Sequence, residues 1–379
     1  MKWNDRYKKI LICALLFIGA LGLRAHELNS RTLSNDEMYQ FQSSAGPFKP
    51  FWLRHHYGDF SSFPGDYILT YPFIKIFAQQ GIAGDALIRD YALAERVAEA
   101  NKWFLAIPHV LSAILLFYFL YLLCNRYYRT IWGYLVAFSI VCLNQTLIFQ
   151  AFEFRSYAVL PALAVGTLYF TELLMEKYKE MSLSRKLWIS AFLIFVVIFH
   201  VYGILFIGLS VIYALFLNWH KGNLSKEIIY PIIKFFGVFF VFAIAIWLWY
   251  ASINLGFSQE KRIFFGAVPT FEFIPSPVTN LVGFLKGILG NLIGNKALYF
   301  LLLGMLASLL IPHKDKWPQI VFFAVFIVFG IGCVIAIDLI NKYWFLQRQF
   351  GWTMPLFAFF LGWCWDVSAQ TFYKKIKTK

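Results

Sequence analysis

This sequence predicts a polytopic, all-α membrane protein, and three observations carry the prediction. Of its 379 residues 60% are hydrophobic and only 14% charged, against about 45–50% apolar and about 25% charged in a soluble domain. Mean hydropathy is +0.63, so the chain holds more apolar surface than one water-soluble core can hide. Apolar runs also recur near the length of about 20 residues at which a helix crosses a bilayer. The same numbers exclude a disordered chain, a coiled coil and a disulfide scaffold. The five cysteines, Cys13, Cys124, Cys142, Cys333 and Cys364, lie in or beside apolar runs with no CxxC pair. They read as free thiols.

The spans follow in order. Lys2, Arg6, Lys8 and Lys9 precede an apolar run at 10–23, which reads as a retained signal-anchor because further spans follow, the alternative being a signal peptide cleaved near Ala20-Leu21-Gly22. Runs at 103–123, 131–149 and 157–175 come next. The run 187–219 is too long for one span and reads as two helices turning at His200-Val201-Tyr202-Gly203. Runs at 232–251, 297–311, 320–340 and 350–365 complete a bundle of about 10 transmembrane helices. The stretch 278–293 is apolar but carries Asn280, Lys286 and Asn291, and reads as an amphipathic helix lying at the interface.

Charge orients the bundle. The formal net charge is +14, but its placement argues against nucleic acid. Arg126 and Arg129, then Lys177, Lys179, Arg185 and Lys186, then Lys221 and Lys226, then Lys314 and Lys316, sit in short loops on one side, with the lysine-rich tail. By the positive-inside rule both termini are cytoplasmic, and the chain belongs to the inner (cytoplasmic) membrane. The extracytoplasmic face then holds a long first loop, 24–102, and a second segment, 252–296, within one domain spanning 1–379. A loop of that first length is more than a connection. Within it, 67–77 and 86–100 read as helices lying along the membrane.

Candidate functional residues gather on that face. Ser34-Asn35-Asp36-Glu37 follows the first span directly. Two adjacent carboxylates are unfavourable to bury, and the competing reading is a solvated loop with Asn35 or Asp36 as a helix N-cap. Glu153-Phe154-Arg155-Ser156-Tyr157 opens the fourth span, and its Glu and Arg, two apart, point at different partners. Tyr343-Trp344-Phe345-Leu346-Gln347-Arg348 precedes the last span, where Arg suits a phosphate held by several hydrogen bonds. His200 at a hairpin tip reads equally as a packed histidine, and Asp66 as a turn residue. Together Asp36, Glu37, Asp66, Glu153, Arg155, His200 and Arg348 fall on one face, while the middles of the spans are almost free of ionisable residues. That pattern favours a cavity at the membrane surface over a path through the bilayer.

In this order the motifs resemble those of the GT-C membrane glycosyltransferases, specifically the family-39-like group of protein mannosyltransferases and aminoarabinose transferases. Ser30-Arg31-Thr32-Leu33-Ser34-Asn35-Asp36-Glu37 stands where those proteins carry an Asp-Glu pair in the first outer loop. Phe63-Pro64-Gly65-Asp66-Tyr67-Ile68-Leu69 matches their His-Pro-Pro-Leu-Tyr-Tyr-like segment only loosely. Phe152-Glu153-Phe154-Arg155-Ser156-Tyr157-Ala158 matches their Gln-Glu-Ala-Arg-Pro-Tyr-Ala-like turn well. His200-Val201-Tyr202 echoes a His-Tyr pair, and Arg348-Gln349-Phe350 with Pro355 echoes an Arg-Tyr-Pro-type segment.

The resemblance implies a GT-C-like bundle that moves a sugar from a polyprenyl-phosphate donor to a hydroxyl of a lipid, glycan or protein acceptor. It implies Asp36 as general base, Glu37 as a second catalytic residue that, like Glu153, orients Arg155 or substrate hydroxyls, and inversion at the anomeric carbon. Arg155 and Arg348 would stabilise the departing phosphate, and Glu153, Tyr157, Asp66 and His200 would line the substrate site. No cofactor is required, and a divalent cation held by Asp36 and a second acidic residue stays open. Two rivals from other classes are a lipid-linked precursor transporter and a polysaccharide polymerase or ligase. The first would need polar residues lining a path through the spans, and the second more arginine in the outer loops.

Overall fold

The computed structural model describes residues 5–45, 65–78, 82–223, 225–226, 229–234, 237, 240–249, 277, 280–293, 297–314, 316–341 and 347–377. Among them there is helix and no strand.

The first apolar run forms α1 (Asp5–Ser30), longer than the sequence predicts. Arg24 is therefore not the first residue of a loop: it lies inside the helix and is 2% exposed. Its guanidinium donates to the carbonyls of Val141 (2.9 Å), Cys142 (3.5 Å) and Ala20 (3.1 Å). Those first two carbonyls lie at the end of α7 (Ile131–Leu143), where helix geometry leaves acceptors without partners. A buried arginine beside them satisfies acceptors that no water could reach.

The long loop folds into short helices, as its apolar patterning predicts. They are α2 (Asn35–Ala45), α3 (Gly65–Phe73, followed by a π turn Ile74–Ala78), α4 (Gly84–Arg89) and α5 (Tyr91–Ala100). They build a small core of their own from Met38, Phe41, Ile74, Leu87, Ala94 and Ala98. Two residues from the bundle complete it: Leu105 and Phe154. Asp90 caps α5, accepting from the Leu93 amide at 3.0 Å.

In the bundle, α6 (Lys102–Tyr127) is one long helix, but the expected third span breaks. It divides into α7 and α8 (Gln145–Gln150) at Asn144. The Asn144 side chain accepts from the Leu147 amide at 2.9 Å and donates to the Asn291 carbonyl at 2.7 Å. It thereby starts α8 and ties it to the helix that carries Asn291. The expected hairpin is present as α10 (Leu183–Phe199) and α11 (Gly203–His220), after α9 (Leu160–Lys177). Of the expected span 232–251, the longest continuous described piece is α12 (Phe240–Trp249). The amphipathic stretch forms α13 (Leu281–Ile293), burying Phe284, Ile288 and Leu292 on one stripe, the four-residue spacing of a helix face. The rest of the chain forms α14 (Ala297–Leu310), α15 (Lys316–Phe322), a π segment Phe323–Phe329, α16 (Gly330–Asn341) and α17 (Thr353–Lys377).

Five helices among the described residues are long and apolar enough to cross a membrane: Tyr7–Ser30, Lys102–Tyr127, Ser156–Glu180, Gly203–His220 and Lys316–Ile340. The expectation was ten. That count is not confirmed: α7, α10 and α14 run to only 13, 17 and 14 residues, and part of 232–251 lies outside the described residues.

The most extensive helix contact joins α7 and α17. Gly133 and Gly362 allow it, because a Cβ on Gly133 would meet the Asp366 side chain and one on Gly362 the Gly133 carbonyl. Asp366, fully buried, accepts from the amides of Arg129 (2.9 Å) and Thr130 (2.6 Å), the Thr130 hydroxyl (2.6 Å) and Gln370 (2.7 Å). A carboxylate from a neighbouring helix thus satisfies donors at the start of α7, where the helix dipole favours negative charge. At that end of the bundle Arg126 pairs with Glu172 and Glu176. The loop helices, the α8–α9 turn and the α10–α11 turn gather at the other end.

Candidate functional site

At the loop end, Ser34 begins α2. Its hydroxyl accepts from the Glu37 amide (3.3 Å) while the Glu37 carboxylate accepts from the Ser34 amide (2.8 Å). This reciprocal capping box makes Ser34 the N-cap, in place of Asn35 or Asp36. Nor is Glu37 solvated: it is fully buried. Arg31 donates to both its oxygens, at 2.6 and 2.9 Å, and the Phe154 amide donates at 2.8 Å. Burial alone would raise the Glu37 carboxyl above its ordinary range. The Arg31 charge and hydrogen bonds, with the Ser34 and Phe154 amides, outweigh burial and hold it below.

Glu37 therefore joins two motifs that stand over a hundred residues apart. Its partner is Arg31, not Arg155. The bond to Phe154 clamps the start of α2 onto the turn that carries Glu153, Arg155 and Tyr157. Phe154 is 1% exposed, its ring seated in the loop-helix core. Glu153 is buried beside it, close enough to contribute to the field at Arg31.

On the far side of that turn the Arg155 guanidinium lies 5.9 Å from the Tyr157 ring centre. The Tyr157 ring meets His200 edge-on at 6.5 Å, and its hydroxyl accepts from Gln349 Nε2 at 3.1 Å. His200 ends α10, and its Nδ1 accepts from the Tyr202 amide at 3.2 Å. Burial first, and the Arg155 charge second, push the imidazole down to about 3. His200 is thus a neutral hydrogen-bonding group at physiological pH and not a cation for phosphate.

Asp66 forms a third cluster. It is 2% exposed at the start of α3 and is not a surface turn residue. Gln40 on α2 donates to its Oδ2 at 2.8 Å, and His109 on α6 places Nε2 3.5 Å from its Oδ1. A Cβ on Gly65 would collide with the Phe199 backbone, so only glycine lets α3 start this close to the end of α10.

Of the residues that the sequence singles out, Glu37, Glu153, Arg155, Tyr157, His200 and Asp66 come to one end of the fold. Asp36 lies on α2 directly before Glu37, and Arg348 in the 3-10 turn Gln347–Phe350 beside Gln349. The side chains of Asp36 and Arg348 lie outside the described residues. Four participants escape sequence reasoning: Arg31, Gln40, His109 and Gln349. Only His109 carries a usable signal, as an ionisable residue inside an apolar run. Among the described residues no three His, Cys, Asp or Glu side chains come together to hold a metal.

Beside Tyr157 a cleft opens between α1, α6, α8 and α9. Leu116, Leu147 and Pro161 line it, and Arg24, Gln150 and Tyr157 provide its polar groups. Fold and site together describe an all-α chain with several membrane-length helices and a buried, charged site where they end. Compared with protein-family models, curated proteins and solved structures, the chain matches none.

Proposed function

We propose that the chain is a membrane glycosyltransferase of the GT-C type, transferring a sugar from a polyprenyl-phosphate donor to an acceptor hydroxyl at the extracytoplasmic face. One observation supports this reading above the rest. The Asp-Glu motif and the Glu-x-Arg-x-Tyr motif, which carry the family resemblance, are bonded to each other through Glu37 and the Phe154 amide.

In this reading Asp36 takes the proton of the incoming hydroxyl, whose oxygen attacks the anomeric carbon from the side opposite the phosphate. The carbon–oxygen bond to phosphate breaks, and its electron pair leaves with the phosphate, so configuration inverts. Arg155 and Arg348 stabilise the charge that develops there. Glu37 is a positioning residue, committed to Arg31 and two backbone amides. A transporter would want charge at mid-bilayer. Here the buried ionisable groups His109, Glu172, Asp338 and Asp366 lie toward helix ends or against them.

The test uses purified full-length protein in nanodiscs with polyprenyl-phosphate-linked sugars. Asp36→Asn should leave abundance and melting temperature unchanged and lower transfer by about 100-fold or more, the scale of a lost general base. Arg348→Ala should weaken donor use, with Arg348→Lys restoring only part, because lysine lacks the planar fork. Near-native transfer by Asp36→Asn would remove Asp36 as base.

A further inference from the structure

The cluster of His109, Asp66 and Gln40 is the least explained feature of the molecule. His109 is fully buried, and among the described residues neither ring nitrogen has a hydrogen-bond partner. Asp66 Oδ1 is likewise buried and lacks one. Buried polar atoms are normally hydrogen-bonded, so three such atoms in one place require an explanation. The two orphans nearest each other, Nε2 and Oδ1, are 3.5 Å apart. A closure of a few tenths of an ångström makes them a hydrogen-bonded pair.

Neither residue belongs to the same element, and that is the informative part. His109 stands on α6, the longest described membrane-length helix together with α1. Asp66 starts α3, and Gln40 stands on α2. Gln40 follows Glu37 by three residues, so these two share one side of α2, the helix that also carries Asp36. The His109 ring also meets the Phe154 ring edge-on at 5.7 Å, with planes at 81°. It thus touches the residue whose amide holds Glu37.

We infer that His109 is a positioning residue, which through Asp66 and Gln40 fixes α2, and the carboxylate Asp36 that it carries, against the membrane bundle. A proton on Nε2 directed at Asp66 Oδ1 leaves Oδ2 for Gln40, so the three side chains form one line from α6 to α2. The first turn of α2 is held by Glu37, and its middle by this line. Together the two attachments set both tilt and rotation of a short helix, which neither does alone. The effect on transfer rests on the glycosyltransferase reading; the mechanical coupling does not.

The experiment therefore measures both in full-length protein in nanodiscs, using backbone hydrogen exchange of α2 and steady-state transfer. The variants are His109→Phe, which keeps a ring beside Phe154, His109→Gln, which keeps a donor, Asp66→Asn, and the double variant His109→Phe with Asp66→Asn. His109→Phe should speed exchange across α2 about 10-fold or more while leaving α9 and α17 unchanged. Asp66→Asn should do the same, the double variant should exceed neither single, and His109→Gln should recover part. Transfer should show a lower kcat with an unchanged KM for the donor. Unchanged exchange in α2, or fully additive effects of the two substitutions, would overturn the inference. If exchange responds as described but the unsubstituted protein transfers no sugar, the function reading fails and the coupling stands. If transfer occurs and is indifferent to all four variants, the coupling has no catalytic role and the inference fails alone.

Discussion

Glu37 shows how much one side chain can organise. It caps its own helix, neutralises a half-buried arginine and ties down a distant turn. Removing one partner of a buried pair costs about 3–5 kcal/mol, so Glu37→Ala should lower the melting temperature sharply and Glu37→Gln less, since the amide oxygen still accepts. Because its carboxyl is held below the usual range, the contribution is present above pH 4.5 and is lost only as the solution acidifies past the folded value. His200 works over a different window. Its imidazole is pushed from 6.5 down to about 3, so the unfolded chain takes up a proton first as pH falls. Stability should be full above pH 6.5 and decline from there toward 3. Thermal melts between pH 7 and 4 should show a shallower decline for His200→Gln than for the unsubstituted chain. An identical slope would mean that His200 charges freely in the fold.

At the scale of elements, the loop helices attach to the bundle chiefly along α6, which meets α3, its π turn and α5. The largest apolar one is Phe154, a bundle residue seated among Met38, Phe41 and Ile74. Phe154→Ala leaves a cavity and removes the ring, a change of about 3–5 kcal/mol in a well-packed core. Its amide, and so the bond to Glu37, is retained. The variant should therefore loosen α2–α5 to limited proteolysis while α7 and α17 stay protected. Equal protection in both regions would show that the polar bonds alone suffice. Breaks in the helices matter as well. Asn144 divides α7 from α8 and Arg24 covers the carbonyls so exposed, which places Gln150 and the turn after it at the mouth of the cleft.

For the whole molecule the decisive property is orientation. Basic residues collect at the end of α6, α9 and α11, with Lys9 donating to the Arg129 carbonyl at 3.1 Å. The charged site lies at the opposite end. In the proposed topology, read from the positive-inside rule, that site faces the extracytoplasmic side. A cysteine introduced at Ser43 should react with an impermeant thiol reagent in intact cells, given that Cys13, Cys124, Cys142 and Cys364 are buried. Labelling that needs permeabilisation would reverse the topology and take the extracytoplasmic site with it.

The class of molecule was legible in the sequence because it depends on sums. Apolar content, run length and the placement of lysine and arginine need no knowledge of contacts, and they led to helices, a hairpin at His200 and structured helices in the first loop. Candidate residues were legible as types for the same reason, since carboxylates, arginines and a histidine stand out in apolar surroundings. Partnership was not. That Glu37 faces Arg31 and the Phe154 amide, that Asp66 is buried against His109 and Gln40, and that Arg24 covers a helix end depend on side chains brought together from distant segments. The break in the expected third span was hidden for a related reason. The break at Asn144 is stabilised by the carbonyl of Asn291, and a hydrogen bond across nearly 150 residues leaves no trace in local hydropathy. Composition decides the solvent a chain must fold in, and only packing decides which buried polar groups can satisfy one another there.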